Sequence, residues 1–321
     1  MFALLLLACA EEGGESADTG ASPLDLRLTE GDYTPGELDL WGPDVVVQPG
    51  EDVTHCIAGT FTGDDLAIHA LTTWQNAFGH HVQLYRLLGT ELDYPEGESF
   101  PCGVGTAFNM TDTQPAGLPT AVHIGDVQTI DQPLDEGMAF YIEGGSRYLL
   151  QAHYVNTGSE AIRVHDLAAL DLLDADTEVS TWVAAAIFHN GNLTIPAASA
   201  ASMSFDCPVE VPEEGLSVRF VNGHMHEWGT SLRITQVRGD STTILSDVPG
   251  WESAYRDSPP TSNYAAGELD FLPGDVIRTE CAWFNDTDET LAFPHEMCDG
   301  VSLVYPQKTT TICDSTTGMN P

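Results

Sequence analysis

Apolar and polar residues alternate in short runs along most of the chain. Clear examples are "HVQLYRLL", "RYLLQAHYV", "LSVRFVNGHMH", "DVIRTECAWF" and "GVSLVYP", which are bounded by Gly, Pro, Asn or Asp. A period of two is typical of strands with one buried and one solvated face, and no segment sustains the 3.6-residue period of an amphipathic helix. The pattern therefore predicts an all-β fold built from antiparallel β-sandwiches.

The segment "HDLAALDLLDADTE", residues 165–178, fits either a helix or a strand that closes a first domain. At 321 residues the chain can form two domains, each with its own core. We place the boundary next to this segment. The prediction is two tandem antiparallel β-sandwiches of jelly-roll type, at residues 38–174 and 175–315, with a cleft between the domains.

The chain begins with a short apolar run, "MFALLLLAC", followed by a polar and acidic stretch. The run is much shorter than the roughly 20 residues that a membrane-spanning helix needs, and is typical of a secretory signal. Its end, "LLAC", resembles a bacterial lipobox. We therefore predict a signal peptide at residues 1–9, a lipid on Cys9 and a flexible tether at residues 10–37. The expected location is outside the inner membrane, as a periplasmic or cell-surface lipoprotein, with the outer membrane favoured.

The chain is strongly acidic, with a formal net charge of −39 and only ten Lys and Arg residues. This charge argues against binding to nucleic acid or to an anionic membrane surface. We therefore expect a membrane contact only through the N-terminal lipid.

Six cysteines remain when Cys9 is set aside. In an exported chain an even number of cysteines predicts disulfides, here three, although the sequence alone permits fifteen pairings. The six are Cys56, Cys102, Cys207, Cys281, Cys298 and Cys313.

The histidines show two patterns that suit a metal. His224 and His226 are one residue apart in a predicted strand, so both rings would lie on one face, with Met225 on the other. His80 and His81 are adjacent and would point to opposite faces. They can share a metal only at a strand end, at a bulge, or through different ring nitrogens. Histidines with purely structural roles produce both patterns as well.

Two further residues become candidate metal ligands only when they are considered together with the other motifs. His153 lies inside the apolar run "YLLQAHYVN". Met297, in "FPHEMCDGVSLVYP", is in phase with Val301 and Leu303, which on its own indicates a core residue.

Taken in order, these four segments resemble the copper type II, ascorbate-dependent monooxygenases, the family of peptidylglycine α-hydroxylating monooxygenase and dopamine β-monooxygenase. That family carries His-His, then Gln-x-His-Tyr, then His-x-His, then Glu-Met-Cys, and the resemblance covers roughly residues 40–313. It implies two copper ions per chain, O₂ and a small organic substrate as reaction partners, and ascorbate or an equivalent reductant. By resemblance the first copper binds His80, His81 and His153, and the second, catalytic copper binds His224, His226 and Met297.

The resemblance also implies a pairing of the cysteines. Transferred residue by residue, the disulfides are Cys56–Cys102, Cys207–Cys313 and Cys281–Cys298.

The chain departs from the peptide-hydroxylating branch at the positions that anchor a substrate carboxylate. That branch has an Arg and a Tyr where this chain has Asn222 and Val301, and an Asn where it has Asp299. A carboxylate at Asp299 would repel a carboxylate substrate, so we do not expect a peptidylglycine substrate. His295, two residues before Met297, is expected to face solvent, with a role beside the metal as the alternative.

The resulting function is a copper-dependent hydroxylation of a C–H bond in a small organic molecule. The alternative is an exported protein that binds or sequesters copper without oxygenase activity. Adhesion or glycan binding by a disulfide-linked sandwich, with only structural histidines, is a third class.

Overall fold

The structure is a computed structural model. It describes residues 22–87, 94, 96–102, 119–125, 129–131, 134–173, 176–256, 259–293, 295–315 and 318–320. Within these ranges the regular structure consists of β-strands and one short 3-10 turn, Ser253–Arg256, as the alternating pattern predicts. None of the described helical segments is long and apolar enough to cross a membrane. The predicted signal peptide and Cys9 lie outside the described residues.

The strands are numbered in chain order. They are β1 Leu24–Asp25, β2 Leu38–Trp41, β3 Val45–Val47, β4 Asp52–Thr60, β5 Leu66–Trp74, β6 Gly79–Leu87, β7 Ser99–Pro101, β8 Pro119–Gly125, β9 Thr129–Asp131, β10 Met138–Ile142, β11 Arg147–Val155, β12 Ile162–Val164, β13 Leu167–Leu172, β14 Thr181–His189, β15 Thr194–Ile195, β16 Ser199–Pro208, β17 Leu216–His224, β18 Gly229–Arg238, β19 Ser241–Val248, β20 Thr261–Asn263, β21 Asp270–Phe271, β22 Val276–Asn285, β23 Leu291–Ala292, β24 Asp299–Tyr305, β25 Thr311–Asp314 and β26 Gly318–Asn320.

The first half of the chain forms a sandwich. One layer is the five-stranded sheet β7-β4-β11-β6-β8, and the other contains β2-β13-β5-β10. Apolar side chains from both layers, among them Ile68, Leu84, Leu150 and Leu170, form one buried cluster between them. This is the result of the period-two pattern, which places every second residue on the inner face.

The second half forms another sandwich. Strands β14, β24 and β17 face the four-stranded sheet β16-β22-β18-β19. The core between them includes Phe188, Val221, Ile234 and Trp283, all at most 2% exposed. None of the buried clusters in the described residues mixes side chains from the two halves.

The two sandwiches are joined by a parallel pairing of β10 with β14, in which Met138 is opposite Thr181. This pairing makes one continuous sheet of twelve strands out of a layer from each half. The Nζ atom of Lys308 lies 4.2 Å from the ring centre of Tyr141 and 4.9 Å from that of Trp182. A cation–π contact therefore also links the two halves. The domain boundary at residues 174–175 lies outside the described residues, and the boundary and the cleft stay predictions.

The structure decides one open alternative and corrects one expectation. The ambiguous segment after His165 is a strand, β13, paired with β2 and β5. Part of residues 22–37, assigned above to a flexible tether, is packed on the first sandwich: β1 pairs with β12, and Leu28 is only 8% exposed. Burial of apolar side chains holds this part in place, so it is not a free tether.

A buried carboxyl group makes the stability of the first sandwich depend on pH. Asp166 is fully buried and accepts a hydrogen bond from the hydroxyl of Tyr154. Burial raises the pKa of Asp166 from 3.8 to about 7, although hydrogen bonds from Tyr154 and Gln75 oppose the shift. Between pH 3.8 and about 7, Asp166 is therefore protonated in the folded state and ionised in the unfolded state.

We expect the free energy of unfolding to fall by a few kcal/mol as the pH rises from about 4 to about 7. In Asp166→Asn, which keeps an oxygen acceptor for Tyr154 and cannot ionise, this part of the fall should vanish. Urea unfolding across this pH range measures the free energy of unfolding of both proteins. Titrating groups other than Asp166 contribute equally to the two values, so their contribution cancels in the difference. Parallel pH profiles of the two proteins would contradict the assignment.

Candidate metal centre

The first predicted ligand group lies on two neighbouring strands. His153 is on β11, in the middle of the five-stranded sheet, and the backbone of His81 on β6 is directly opposite it. The register shifts at the next step, where Tyr154 is opposite Gly79, so His80 is the additional residue of a bulge at the start of β6. A bulge at a strand end is one of the arrangements that would let adjacent histidines serve one metal. The side chains of His80 and His81 lie outside the described residues.

His153 is buried, with 5% of its surface exposed, and Nε2 lies 2.5 Å from Oδ1 of Asp52. A carboxylate accepts hydrogen bonds, so Nε2 carries the hydrogen and the lone pair of the neutral ring is on Nδ1. Asp52 is thus the kind of outer partner that fixes the tautomer of a metal-binding histidine.

The second ligand group begins at the end of β17. The strand ends at His224, and His226 lies in the turn that follows, so the prediction that both are on a strand is wrong for His226. The two rings nevertheless lie side by side, with centres 5.1 Å apart and planes at 84°. Met225 between them is fully buried in the core and anchors the turn.

A hydrogen bond fixes the ring of His226. Its Nδ1 is 3.1 Å from the carbonyl oxygen of His295. Because a carbonyl only accepts, Nδ1 carries the hydrogen and Nε2 holds the lone pair that a metal requires. The side chain of His295 itself is exposed, as expected, and its backbone is the part that contacts the site.

Met297 does not lie on a strand, because β24 begins at Asp299. The spacing of Met297 from Val301 and Leu303 therefore does not determine which face of the sheet it lies on. It is held by its neighbours: Cys298 is bonded to Cys281 of β22, and the carboxylate of Glu296 accepts the backbone N–H of Met297 at 2.9 Å.

Glu296 is a residue whose role the sequence reasoning missed. It is fully buried, and its carboxylate also accepts the backbone N–H groups of His226 at 2.5 Å and of Trp228 at 3.1 Å. Burial raises the pKa of Glu296 to about 6, while the hydrogen bonds from His226, Met297 and Trp228 lower it. One carboxylate therefore joins the turn that carries His226 to the segment that carries Met297.

His189 is a second missed residue, since no ligand pattern surrounds it in the sequence. Across the sheet, Asp299 of β24 is opposite both His189 of β14 and His224 of β17. Nδ1 of His189 lies 2.6 Å from Oδ1 of Asp299. A polar row thus extends from His224 across the sheet face that is directed away from the core.

The positions that differ from the peptide-hydroxylating branch lie on the same face. Asn222 of β17 is opposite Val301 of β24, two residues along each strand from the row of His224 and Asp299. The other histidines with described side chains have structural partners. His55 bonds the hydroxyl of Ser99, and the rings of His69 and His165 bond backbone carbonyls. His123 has a side chain outside the described residues.

All six remaining cysteines form disulfides, in the pairing that the resemblance implies: Cys56–Cys102, Cys207–Cys313 and Cys281–Cys298. The second connects the two layers of the second sandwich, and the third connects β22 to the segment that precedes β24. Disulfides are typical of oxidising compartments and indicate an exported protein.

The donor atoms suit copper. Two imidazoles with a thioether favour Cu(I) over zinc, calcium or magnesium, and the tautomer of His226 presents a lone pair at Nε2. Within the ranges that the structure describes, no three His, Cys, Asp or Glu side chains lie together as a metal-binding group. The proposed set of His224, His226 and Met297 contains only two residues of those types, and the first set includes two side chains outside the described residues.

No curated protein matches the chain. Among solved structures, a protein from Eubacterium rectale aligns at 12% identity over 79% of this chain and 69% of its own, with a TM-score of 0.24. The VP2 subviral particle of infectious bursal disease virus aligns at 10% identity over 88% and 75%, with a TM-score of 0.23. These scores are too low to support an argument about fold or function.

The family comparison is specific. Residues 183–320 match the model of the C-terminal domain of copper type II ascorbate-dependent monooxygenases. The matched range runs from β14 to β26 and includes His224 and His226, the disulfide of Cys281 with Cys298, and Met297. The resemblance seen in the sequence motifs is thereby confirmed for the second half of the chain, and residues 183–320 are identified as a C-terminal domain of the copper type II ascorbate-dependent monooxygenase family.

Proposed function

We propose that the protein is a copper-dependent monooxygenase that hydroxylates a C–H bond of a small organic substrate, with O₂ and an ascorbate-like one-electron reductant. The observation that carries the proposal is the pair His224 and His226, with ring centres 5.1 Å apart, in the part of the chain that matches this family. The proposal is supported by the carboxylate of Glu296, which accepts from the backbone N–H of both His226 and Met297.

Bound copper would supply the one-electron redox chemistry and the reaction with O₂. The residues of the chain provide the environment. His224, His226 and Met297 form a set that favours the reduced ion, whereas His80, His81 and His153 form an all-imidazole set that serves both oxidation states. Asp52 and the carbonyl of His295 keep one ring of each set in a fixed tautomer.

The face next to His224 supports a substrate without a carboxylate. Asn222 and Val301 provide an amide and an apolar surface, and Asp299 adds a negative charge beside them. Two like charges about 10 Å apart repel by ~1.7 kcal/mol at an effective dielectric constant of about 20. A neutral or cationic substrate avoids this repulsion.

This substrate assignment is testable with a matched pair of probes, N-benzoylglycine and its neutral amide. We expect the unmodified copper-loaded protein to bind the amide more tightly. In Asp299→Asn, whose amide oxygen can still accept from His189, the affinity of the acid relative to the amide should rise by about tenfold, or ~1.4 kcal/mol. Calorimetric titration gives both dissociation constants. Equal affinities in the unmodified protein would contradict the role of Asp299.

The function itself is tested by copper counting and by oxygen incorporation. We expect two copper ions per chain, removed by chelation, and a product in native extracts that has gained one oxygen atom from labelled O₂ in the presence of ascorbate. Two tightly bound copper ions without any labelled product across the extract would favour a copper-binding protein. Absence of stoichiometric copper would favour the third class, a β-sandwich in which the histidines have only structural roles.

The location is also part of the proposal. Disulfides indicate export, and the lipobox-like "LLAC" supports a lipid anchor on Cys9. Globomycin treatment of the producing cells should cause a precursor with an uncleaved signal to accumulate if this cysteine is processed as a lipoprotein.

A further inference from the structure

Two of the three residues of the second ligand group, His226 and Met297, lie in loops that come from distant parts of the chain. Residues 225–228 connect β17 to β18, and residues 295–298 precede β24. Neither loop is part of a strand ladder at its ligand residues. Backbone that lies outside a ladder is free to move unless other groups bind its N–H and C=O groups. The precision of the site therefore depends on what joins these loops.

Glu296 joins the two loops through hydrogen bonds to their backbone N–H groups. Oε1 accepts from the N–H of His226 at 2.5 Å and from that of Met297 at 2.9 Å, and Oε2 accepts from the N–H of Trp228 at 3.1 Å. Three backbone donors on one ionised carboxylate are charge-assisted hydrogen bonds, which are shorter and stronger than neutral ones. The side chain is fully buried, so water does not compete for these donors.

The surrounding contacts reinforce the same connection. The carbonyl of His295 accepts from the ring of His226, and the carbonyl of His226 accepts from the indole N–H of Trp251 at 3.0 Å. Trp251 is buried in the core of the sandwich. The turn of His226 is therefore held from two sides, by the core through Trp251 and by the methionine segment through Glu296.

We propose that Glu296 is a positioning residue for the second copper, and that its carboxylate sets the separation between Met297 and the histidine pair. This inference rests on the proposed function, because it assumes that the three residues bind one ion. Loss of an outer partner of a metal ligand typically costs 10–100-fold in affinity, and we expect an effect of this size. The buried negative charge also lowers the cost of placing a cation between the two loops.

The first test uses Glu296→Gln and Glu296→Asp. The glutamine keeps the length, but its NH₂ group faces the N–H of Trp228 and cannot accept from it. The aspartate keeps the charge and is one methylene too short to reach both loops. In each variant we expect the affinity of the second site for Cu(I) to fall 10–100-fold. X-ray absorption at the copper edge should show a weaker or longer Cu–S shell, with the nitrogen shell of the first site unchanged.

Asp275→Asn is the matched control. Asp275 is 1% exposed, accepts from the N–H of Leu272 at 2.8 Å and pairs with Arg238, at the far end of β22 from the metal loops. Its loss should lower the stability of the same sandwich and leave the Cu–S shell intact. If folded Glu296 variants keep the affinity and Cu–S shell of the unmodified protein, or if Asp275→Asn loses them equally, the inference is overturned.

A measurement on the unmodified, copper-free protein covers the case in which the variants do not fold. The amides of His226, Trp228 and Met297 should be strongly protected from hydrogen exchange, although all three lie outside strands. Rapid exchange of these amides would overturn the proposal. Protected amides together with the absence of any Cu–S shell in the copper-treated protein would instead contradict the proposed function and leave the loop connection standing.

Discussion

Replacing Met297 by Ile is expected to remove the second copper and to abolish oxygen consumption with ascorbate. Isoleucine is similar in volume to methionine but has no sulfur atom, so only two imidazole donors remain in a site that needs a soft third ligand to favour Cu(I). The loss of a direct ligand should exceed the 10–100-fold cost of losing an outer partner, so we expect the affinity for Cu(I) to fall by more than about 100-fold. Turnover should fall to background.

The same variant should leave the first site loaded. His153 and its partner Asp52 lie in the other sandwich, more than a hundred residues away in sequence from Met297. Copper analysis after dialysis should therefore change from two ions to one per chain. Full activity in the variant would refute the assignment of Met297, and loss of both ions would indicate that the two sites are not independent.

Removing the disulfide Cys207–Cys313 should produce the largest change in stability. Cys207 is at the end of β16 and Cys313 is on β25, so the bond connects the two layers of the second sandwich. The sequence separation is 106 residues, and closing a loop of about this size stabilises a fold by ~4.7 kcal/mol in the chain-entropy model. Since the free energy of unfolding of a domain is about 5–15 kcal/mol, the double Ala variant should lose a large share of it.

The control is the Cys56–Cys102 pair in the first sandwich, which has a sequence separation of 46. The same model predicts a loss that is smaller by ~0.7 kcal/mol. Guanidinium unfolding followed by tryptophan fluorescence would rank the two double variants. A larger loss for Cys56/Cys102 would show that strain or residual structure, rather than loop entropy, determines the effect. Metal binding at His153 should survive the loss of Cys207–Cys313 if the first sandwich stays folded.

The strands were the part of the fold most accessible from the sequence. Strands such as β11 and β22 have long alternating runs. Because one face must be buried, the register of such strands is strongly restricted. The segment of β13 was ambiguous because "LAALDL" is short and nearly all apolar, and such runs fit a helix as well as a doubly buried strand. The alternation in "PLDLRL" was a signal for order in residues 23–28 that the acidic composition of the preceding stretch obscured.

The site was only partly accessible. The spacing of His224 and His226 was informative because neighbours in sequence stay neighbours in space, even though the strand ends between them. The ligand role of Met297 came from the resemblance, because its phase with Val301 and Leu303 indicated a core residue, and that phase does not apply to a residue that precedes β24. The role of Glu296 depends on a contact with a residue 70 positions away, and that of His189 on one 110 positions away. Periodicity contains no information about such pairs, which exist only once the sheets are assembled.

The continuous sheet formed through β10 and β14 has a practical consequence for work on fragments. The family match begins at residue 183, inside β14, and a piece cut there would lack Trp182, on which Lys308 stacks. It would also uncover the backbone that Phe140 and its neighbours pair with in the whole chain. Unpaired strand backbone recruits other copies and promotes aggregation. Dissection of the two copper sites is therefore better done by point substitutions in the intact chain than by expressing its halves.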